Sequence, residues 1–161
     1  MKKSFVAVTI VCLETILVSI SAHAGNLAFD AAGNLFERRK DSIFKFAPDG
    51  KKSTFASGLS TYGVYNLAFN AAGDLFVSDG DSHSILKFTP DGKKSTFATG
   101  FNPTGMAFDD KGNLFVADQE HSIFKFTPDR TRSTFANDLS TVGGSGFKTN
   151  SMVFDRSGNS L

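Results

Sequence analysis

The chain has 161 residues, with 17 Lys and Arg against 16 Asp and Glu and a formal net charge of +1. This near-neutral balance argues against nucleic acid as the main partner, because phosphate binding requires a clustered excess of positive charge. A single cysteine, Cys12, excludes a disulfide framework and a cysteine-based zinc site within the chain. With 18 phenylalanines and no tryptophan, phenylalanine is the expected filler of the core.

Residues 1–24 have the pattern of a signal peptide. Two lysines precede a largely apolar stretch at residues 5–20, and Ala22-His23-Ala24 follows as a small-x-small cleavage site. We therefore expect a mature chain that begins at Gly25, is secreted or periplasmic and has no membrane span. An uncleaved anchor is the weaker alternative, because Glu14 interrupts a stretch that is shorter than the roughly 20 residues a membrane span requires.

The mature chain repeats one pattern several times. Apolar runs that end in Phe before Asp or Asn follow one another at steps of 40, 39 and 46 residues, and the closing residues are Phe29, Phe69, Phe108 and Phe154. Repetition at this period indicates a repeat architecture in which each copy is one structural unit. The units are placed at about residues 25–65, 66–104 and 105–150, with a stub of a fourth at residues 151–161.

Turn residues divide each unit into four short strands. The first turn of each unit starts with Asp or Asn and has glycine three residues later, at Gly33, Gly73 and Gly112, as a type I turn with a G1 bulge requires. A Pro-Asp-Gly turn follows in the first two units, but Arg130 takes the glycine position in the third. That turn must change type or hold a non-glycine residue left-handed, at a cost of about 1 kcal/mol.

The strands predict an all-β fold with sheets that are buried on both faces. No window carries a helical stripe of apolar residues, and Leu114-Phe115-Val116-Ala117 does not alternate apolar with polar. Four-stranded units stacked face to face describe a β-propeller, which closes with about four to eight blades. We therefore predict a partial β-propeller of about three blades plus the stub. It would be the front part of a longer product or would associate with itself to complete a ring.

The segments GMAFDDKGNLFVADQEHSIFKFTPD and NLAFNAAGDLFVSDGDSHSILKFTPDG resemble bacterial NHL-type repeats. Their clan includes gluconolactonase/regucalcin-like and streptogramin-lyase-like six-bladed propellers. The resemblance covers Gly25 to Leu161 and implies the propeller fold, but it leaves function open because the fold hosts both scaffolds and enzymes. The first unit departs from the pattern: Glu37-Arg38-Arg39-Lys40 stands where later units continue with Val-Ser-Asp or Val-Ala-Asp.

Candidate metal ligands come from the resemblance to metal-dependent lactonases. It implies that Asp79 and Asp118, which end equivalent strands, present carboxylates to a divalent cation, either Ca or Mg. Asn102 would add an amide oxygen from the adjacent loop, since hard cations prefer oxygen ligands. The competing interpretation is that both Asp side chains cap their own loops by accepting hydrogen bonds from backbone N–H groups.

The same variable loops carry candidates for acid/base chemistry and for binding. A lyase-like mechanism would use Glu120 with His121 and His83, although adjacent loop residues often point apart and the chain has few His and Glu to converge. The predicted binding surface comprises Tyr62, Tyr65, Asn102, Asp79, Asp118 and Gln119.

Two function classes follow from the fold and the resemblance. The favoured class is an exported, non-enzymatic NHL-like scaffold that binds a protein, peptide, glycan or small molecule through its loops. The alternative is a metal-dependent lactone hydrolase or a streptogramin-lyase-like enzyme.

Overall fold

The chain forms three four-stranded antiparallel sheets in tandem. A computed structural model describes residues 26–137, apart from the side chains of residues 64 and 65; the predicted signal peptide and the fourth-unit stub lie outside this range. Residues 26–137 contain no helix, and therefore no helix that could span a membrane.

Blade 1 contains β1 (Leu27–Phe29), β2 (Leu35–Arg39), β3 (Ser42–Phe46) and β4 (Lys52–Ala56). Blade 2 contains β5 (Val64–Phe69), β6 (Leu75–Asp79), β7 (Ser84–Phe88) and β8 (Lys94–Thr99). Blade 3 contains β9 (Pro103–Phe108), β10 (Leu114–Asp118), β11 (Ile123–Phe126) and β12 (Arg132–Ala136).

Each sheet is a meander in which consecutive strands pair. The first strands of the blades, β1, β5 and β9, are neighbours in space, so the blades stack side by side along them. This arrangement confirms the predicted all-β, partial β-propeller fold, with three four-stranded blades in the described part of the chain.

The turns have the predicted backbone conformation. Gly33, Gly73 and Gly112 have φ values of 78°, 81° and 78°. In the third of these turns, the carboxylate of Asp109 accepts a hydrogen bond from the backbone N–H of Asn113 at 2.7 Å. At the other turn of blade 3, Arg130 has a φ of 69°, so the chain holds a non-glycine residue left-handed there and keeps the turn type.

The blades pack through one repeated set of side chains. One face of each blade presents a small residue on its first strand, Phe on its second, Ile on its third and Phe on its fourth. These sets are Ala28, Phe36, Ile43 and Phe55 in blade 1; Ala68, Phe76, Ile85 and Phe97 in blade 2; and Ala107, Phe115, Ile123 and Phe135 in blade 3. The first two sets pack against the opposite face of the following blade, which includes Val77 in blade 2 and Val116 in blade 3.

Phenylalanine rings fill the space between blades, as the composition predicted. Phe36 meets Phe55 and Phe69 edge to face, with centroids 5.1 and 4.8 Å apart. Its equivalent Phe76 meets the equivalent rings of Phe97 and Phe108 at 5.0 and 4.9 Å. Each such pair contributes about 0.5–1.5 kcal/mol beyond the area it buries. The two interfaces are therefore held by the same aromatic cluster.

The stacked blades have two ends. The loop face consists of the loops within blades at residues 40–41, 80–83 and 119–122, with two connections between blades. We refer to these connections as the first junction loop, residues 57–63, and the second junction loop, residues 100–102. The turn face, at the opposite end, carries the glycine turns and the Pro-Asp turns.

Candidate functional site

Blade 1 holds the first junction loop from one side. Leu59 is buried, and its backbone N–H donates to the carbonyl of Asp41 at 2.9 Å. The guanidinium of Arg38 on β2 donates to the carbonyls of Ser60 at 3.3 Å and Thr61 at 2.8 Å. Hydrogen bonds from a charged donor are among the stronger ones in proteins, so Arg38 fixes the backbone of this loop.

Blade 2 holds the same loop from the other side. The hydroxyl of Ser60 donates to the carboxylate of Asp81, and the N–H of Gly80 donates to the carbonyl of Gly63. A Cβ added at Gly63 would overlap the backbone nitrogen and the carboxyl group of Asp81, so only glycine permits this close approach. The first junction loop is thus tied to both blades.

Tyr62 stands on this tied loop and points into solvent. It is 86% exposed, the highest value among the large hydrophobic side chains in residues 26–137. Tyr65, its predicted companion, belongs to β5, and its side chain lies outside what the structure describes. Aromatic side chains of this kind supply large contact area at low entropic cost, so Tyr62 has the geometry of a binding anchor.

The second junction loop is built on the same plan, with Asn102 at its centre. Phe101 is buried where the first loop buries Leu59. The backbone N–H of Asn102 donates to the carboxylate of Asp118 at 2.6 Å, and its carbonyl accepts from the N–H of Gln119 at 3.0 Å. The side-chain oxygen of Asn102 contacts ring nitrogen Nδ1 of His83. Asn102 therefore links a loop of blade 2 to a loop of blade 3.

The two candidate carboxylates each hold backbone N–H groups. Asp79 and Asp118 are buried, at 5% and 2% exposure. Asp79 accepts from the N–H groups of Asp81 at 3.2 Å and Ser82 at 3.3 Å, while Asp118 accepts from Asn102. Asp79 thus has the loop-capping geometry that the sequence left as an alternative, whereas Asp118 holds the second junction loop and not its own loop. Among residues 26–137, no three His, Cys, Asp or Glu side chains group closely enough to hold a metal ion.

The acid/base candidates occupy two consecutive blades. His83 and His121 stand two residues before Ile85 and Ile123, and both are left-handed, with φ values of 49° and 62°. Histidine is enriched among the non-glycine residues that adopt this conformation. Glu120 is exposed, and His121 is half-buried. The structure brings His83 to the side chain of Asn102, whose backbone N–H donates to Asp118, at the junction of blades 2 and 3.

Sequence reasoning missed the residues that hold the first junction loop. Arg38 was recognised only as a departure from the repeat that lost an apolar position. Asp81 lies in the loop between Asp79 and His83 and was not among the candidates. A usable signal was present in the same segment: arginine stands where the later units have the small residues Ser78 and Ala117. A guanidinium at such a place needs acceptors nearby, and an adjacent loop offers carbonyl groups.

Comparison with solved structures confirms, at the level of the fold, the predicted likeness to streptogramin-lyase-like and gluconolactonase-like proteins. A chain of the nidogen/laminin complex matches with a TM-score of 0.67 and 24% identity over 81% of this chain and 52% of that chain. A streptogramin B lyase matches with a TM-score of 0.60 and 17% identity over 70% of this chain and 40% of that chain. A gluconolactonase from Xanthomonas campestris matches with a TM-score of 0.56 and 15% identity over 66% of this chain and 44% of that chain.

These similarities establish the fold, since identities of this size carry no activity from one protein to another. The chain spans between 40% and 52% of the length of these three matched chains. No protein-family model and no curated protein sequence matches the chain.

Proposed function

We propose that the chain is an exported propeller-type scaffold that binds a protein or peptide through its loop face, with Tyr62 as the anchor. The observation that carries this proposal is the exposure of Tyr62, 86%, on a loop that both neighbouring blades hold. An exposed aromatic ring costs solvation free energy, and a loop fixed in advance loses little entropy when a partner binds. The combination favours recognition of a partner surface.

The surroundings of Tyr62 suit an interface of this kind. Binding hot spots are enriched in tyrosine and are surrounded by polar side chains that exclude water. Thr61, the neighbour of Tyr62, is exposed, and Gln119 and Glu120 are exposed polar residues on the same loop face. Asn102 is half-buried, and its carbonyl accepts from the N–H of Gln119. A peptide that crosses the two junction loops would therefore meet one aromatic anchor and a polar rim.

The hydrogen bonding of the loop face favours binding over metal-assisted chemistry. A divalent cation needs several oxygen ligands, but one oxygen of each carboxylate, Oδ1 of Asp79 and Oδ1 of Asp118, already accepts backbone hydrogen bonds. The amide oxygen of Asn102 is engaged with His83. A cation at this place would have to displace contacts that hold the junction loops.

Selection of peptides from a random displayed library on the immobilised protein tests the binding proposal. We expect enriched peptides whose affinity falls about tenfold or more in Tyr62→Ser, the range typical of a hot-spot aromatic. Lys111→Ser, an exposed change on the turn face, is the matched control and should leave affinity unchanged. Peptides that bind the Tyr62 variant as well as the parent protein would contradict the anchor role.

Titration with Ca²⁺ and Mg²⁺ separates the scaffold from the lactonase-like or lyase-like alternative. The proposal predicts no saturable binding and no rise in melting temperature with either ion. Saturable binding that disappears in the double variant Asp79→Asn with Asp118→Asn would instead favour the metal-assisted enzyme.

The export part of the proposal rests on residues 1–24. Mass spectrometry of the protein from a culture of its host should show an N-terminus at Gly25. Recovery of the full-length chain from the cytoplasm, with no processed form, would overturn this part while leaving the binding proposal testable on its own.

A further inference from the structure

A cleft opens on the turn face between blades 2 and 3, away from the proposed binding loops. Its volume is about 380 Å³, within the range of small-ligand sites. Four phenylalanines line it, and so do three charged residues: Phe76, Phe97, Phe108 and Phe126, with Lys87, Asp129 and Arg130. The cleft thus combines an aromatic wall with two cationic groups and one carboxylate.

The repeat supplies an internal comparison for this cleft. The corresponding positions between blades 1 and 2 carry Phe36, Phe55, Phe69, Phe88 and Lys45, residues of the same types as in the cleft. The Pro-Asp turns differ, because Gly92 stands where blade 3 has Arg130. Arg130 is therefore the change that gives the blade 2–3 cleft its second cation.

Arg130 takes this position against a conformational penalty. Its φ of 69° lies in the left-handed region, close to the 83° of Gly92, and a side chain there costs about 1 kcal/mol. Its guanidinium lies 5.1 Å from the ring centroid of Phe97, so it covers one wall of the cleft. Strain of this kind, held at a cleft, points to function.

Arg130 is also the cation of the cleft whose charge is not matched by a carboxylate. Lys87 forms an ion pair with Asp74 at 2.7 Å. Asp129, the neighbour of Arg130, accepts hydrogen bonds from both Thr127 and Thr131. Within residues 26–137, the ion pairs of the structure do not include Arg130. The guanidinium is thus free to receive an anion.

We propose that this cleft binds a small carboxylate that carries an aromatic ring. Arg130 would receive the carboxylate through paired N–H donors, the geometry in which guanidinium groups recognise carboxylates. The ring would lie against the partly exposed rings of Phe97 and Phe108, where edge-to-face contacts are favourable. The ligand class follows from the guanidinium group and the aromatic lining of the cleft.

Calorimetric titration of the purified protein with phenylacetate tests this site. We expect saturable binding that weakens about tenfold or more in Arg130→Gly, because the charged hydrogen bonds are lost. This variant restores the glycine of the other two units, so it should fold, and its melting temperature reports that directly. Arg130→Lys should retain part of the affinity, since a point charge remains but the paired donors do not.

Two analogues and one variant complete the experiment. 2-Phenylethanol keeps the ring without the charge, acetate keeps the charge without the ring, and both should bind about tenfold or more weakly than phenylacetate. Arg132→Ala, an exposed arginine two residues away and outside the cleft, should bind phenylacetate as the parent protein does. Equal phenylacetate affinity in Arg130→Gly, or no binding to the parent protein, would overturn the proposal.

Discussion

Blades 1 and 2 share most of their strand sequences but bury them differently. All five residues of β6 are buried, whereas β2 has one buried residue, and its last residue is exposed. Strand pairing places Glu37 on one face with Leu27 and Phe44. The equivalent Val77 is fully buried against blade 1. Glu37 instead pairs with Arg39 at 2.8 Å, with side chains that are 22% and 61% exposed respectively.

The difference shows how a repeat unit is adapted to its neighbours. A blade that is packed on both faces needs an apolar residue at the centre of each, because a buried carboxylate without a partner is costly. On the face of blade 1 that points away from blade 2, Glu37 occupies this central position. On the same face, the ammonium group of Lys52 lies 3.7 Å from the ring centroid of Phe44. Within residues 26–137 no blade packs on this face, and its charged side chains are of the kind that polar capping repeats carry.

The largest expected effect comes from placing the glutamate of blade 1, Glu37, at the equivalent position of blade 2, Val77. Val77→Glu would bury a carboxylate in the blade 1–2 interface, where Val77 has 0% exposure. We expect a loss of about 3–5 kcal/mol in the free energy of unfolding, measured as a lower urea midpoint. The reciprocal change, Glu37→Val, should alter stability by less than about 1 kcal/mol, because it removes a partly exposed ion pair. Similar losses for both variants would show that the two faces are equally buried.

Self-association provides a second test of the same contrast. Glu37→Val would join Leu27 to Phe44 in one apolar row and extend the patch that Phe29 and Leu35 already form beside it. We expect this variant to raise the association of the protein, because contiguous apolar surface drives contact between copies. Light scattering as a function of concentration measures the effect. An unchanged distribution of species would mean that Glu37 does not limit stacking at this face, and the predicted self-association would need another surface.

A smaller effect is expected at Arg38, the basic residue of blade 1 that holds the first junction loop. Arg38→Met removes the donors to the carbonyls of Ser60 and Thr61. We therefore expect the free energy of unfolding to fall by about 1–2 kcal/mol. Amide hydrogen exchange should become faster across residues 57–63. Peptides from the displayed library whose binding depends on Tyr62 should bind this variant more weakly than the parent protein. Arg39→Met is the matched control, since its exposed ion pair contributes about 1 kcal/mol or less. Unchanged exchange in Arg38→Met would remove the basis for a loop fixed in advance.

The sequence predicted what repetition and turn chemistry determine. Three copies of one pattern were enough to define the blades, the phenylalanine packing and the left-handed glycine turns, because each depends on residues that recur at fixed positions. The contacts of the loop face depend on single residues that do not recur. Arg38 acts on a loop more than 20 residues away, and Asn102 joins two blades. Such long-range contacts leave no period in the sequence, so they became visible only in the structure.

The smallest expected effect is a pH dependence at the Pro-Asp turn of blade 3, where Thr127 supplies a hydroxyl that blade 1 lacks. Hydrogen bonds from the Thr127 hydroxyl, and then from the backbone and side chain of Thr131, hold the pKa of Asp129 below its usual value of 3.8. A carboxyl group with a lowered native pKa adds stability above its unfolded pKa, and this stability disappears as the pH falls through the native value. Thr127→Val should therefore lower the melting temperature slightly at neutral pH, and the difference from the parent protein should vanish below the native pKa of Asp129.

Blade 1 has Ala47 at the equivalent position, so it already lacks this hydroxyl. Thr134→Val, an exposed change on β12, should show no such pH dependence. A difference between Thr127→Val and the parent protein that persists at low pH would mean that the hydroxyl acts through packing rather than through the carboxylate.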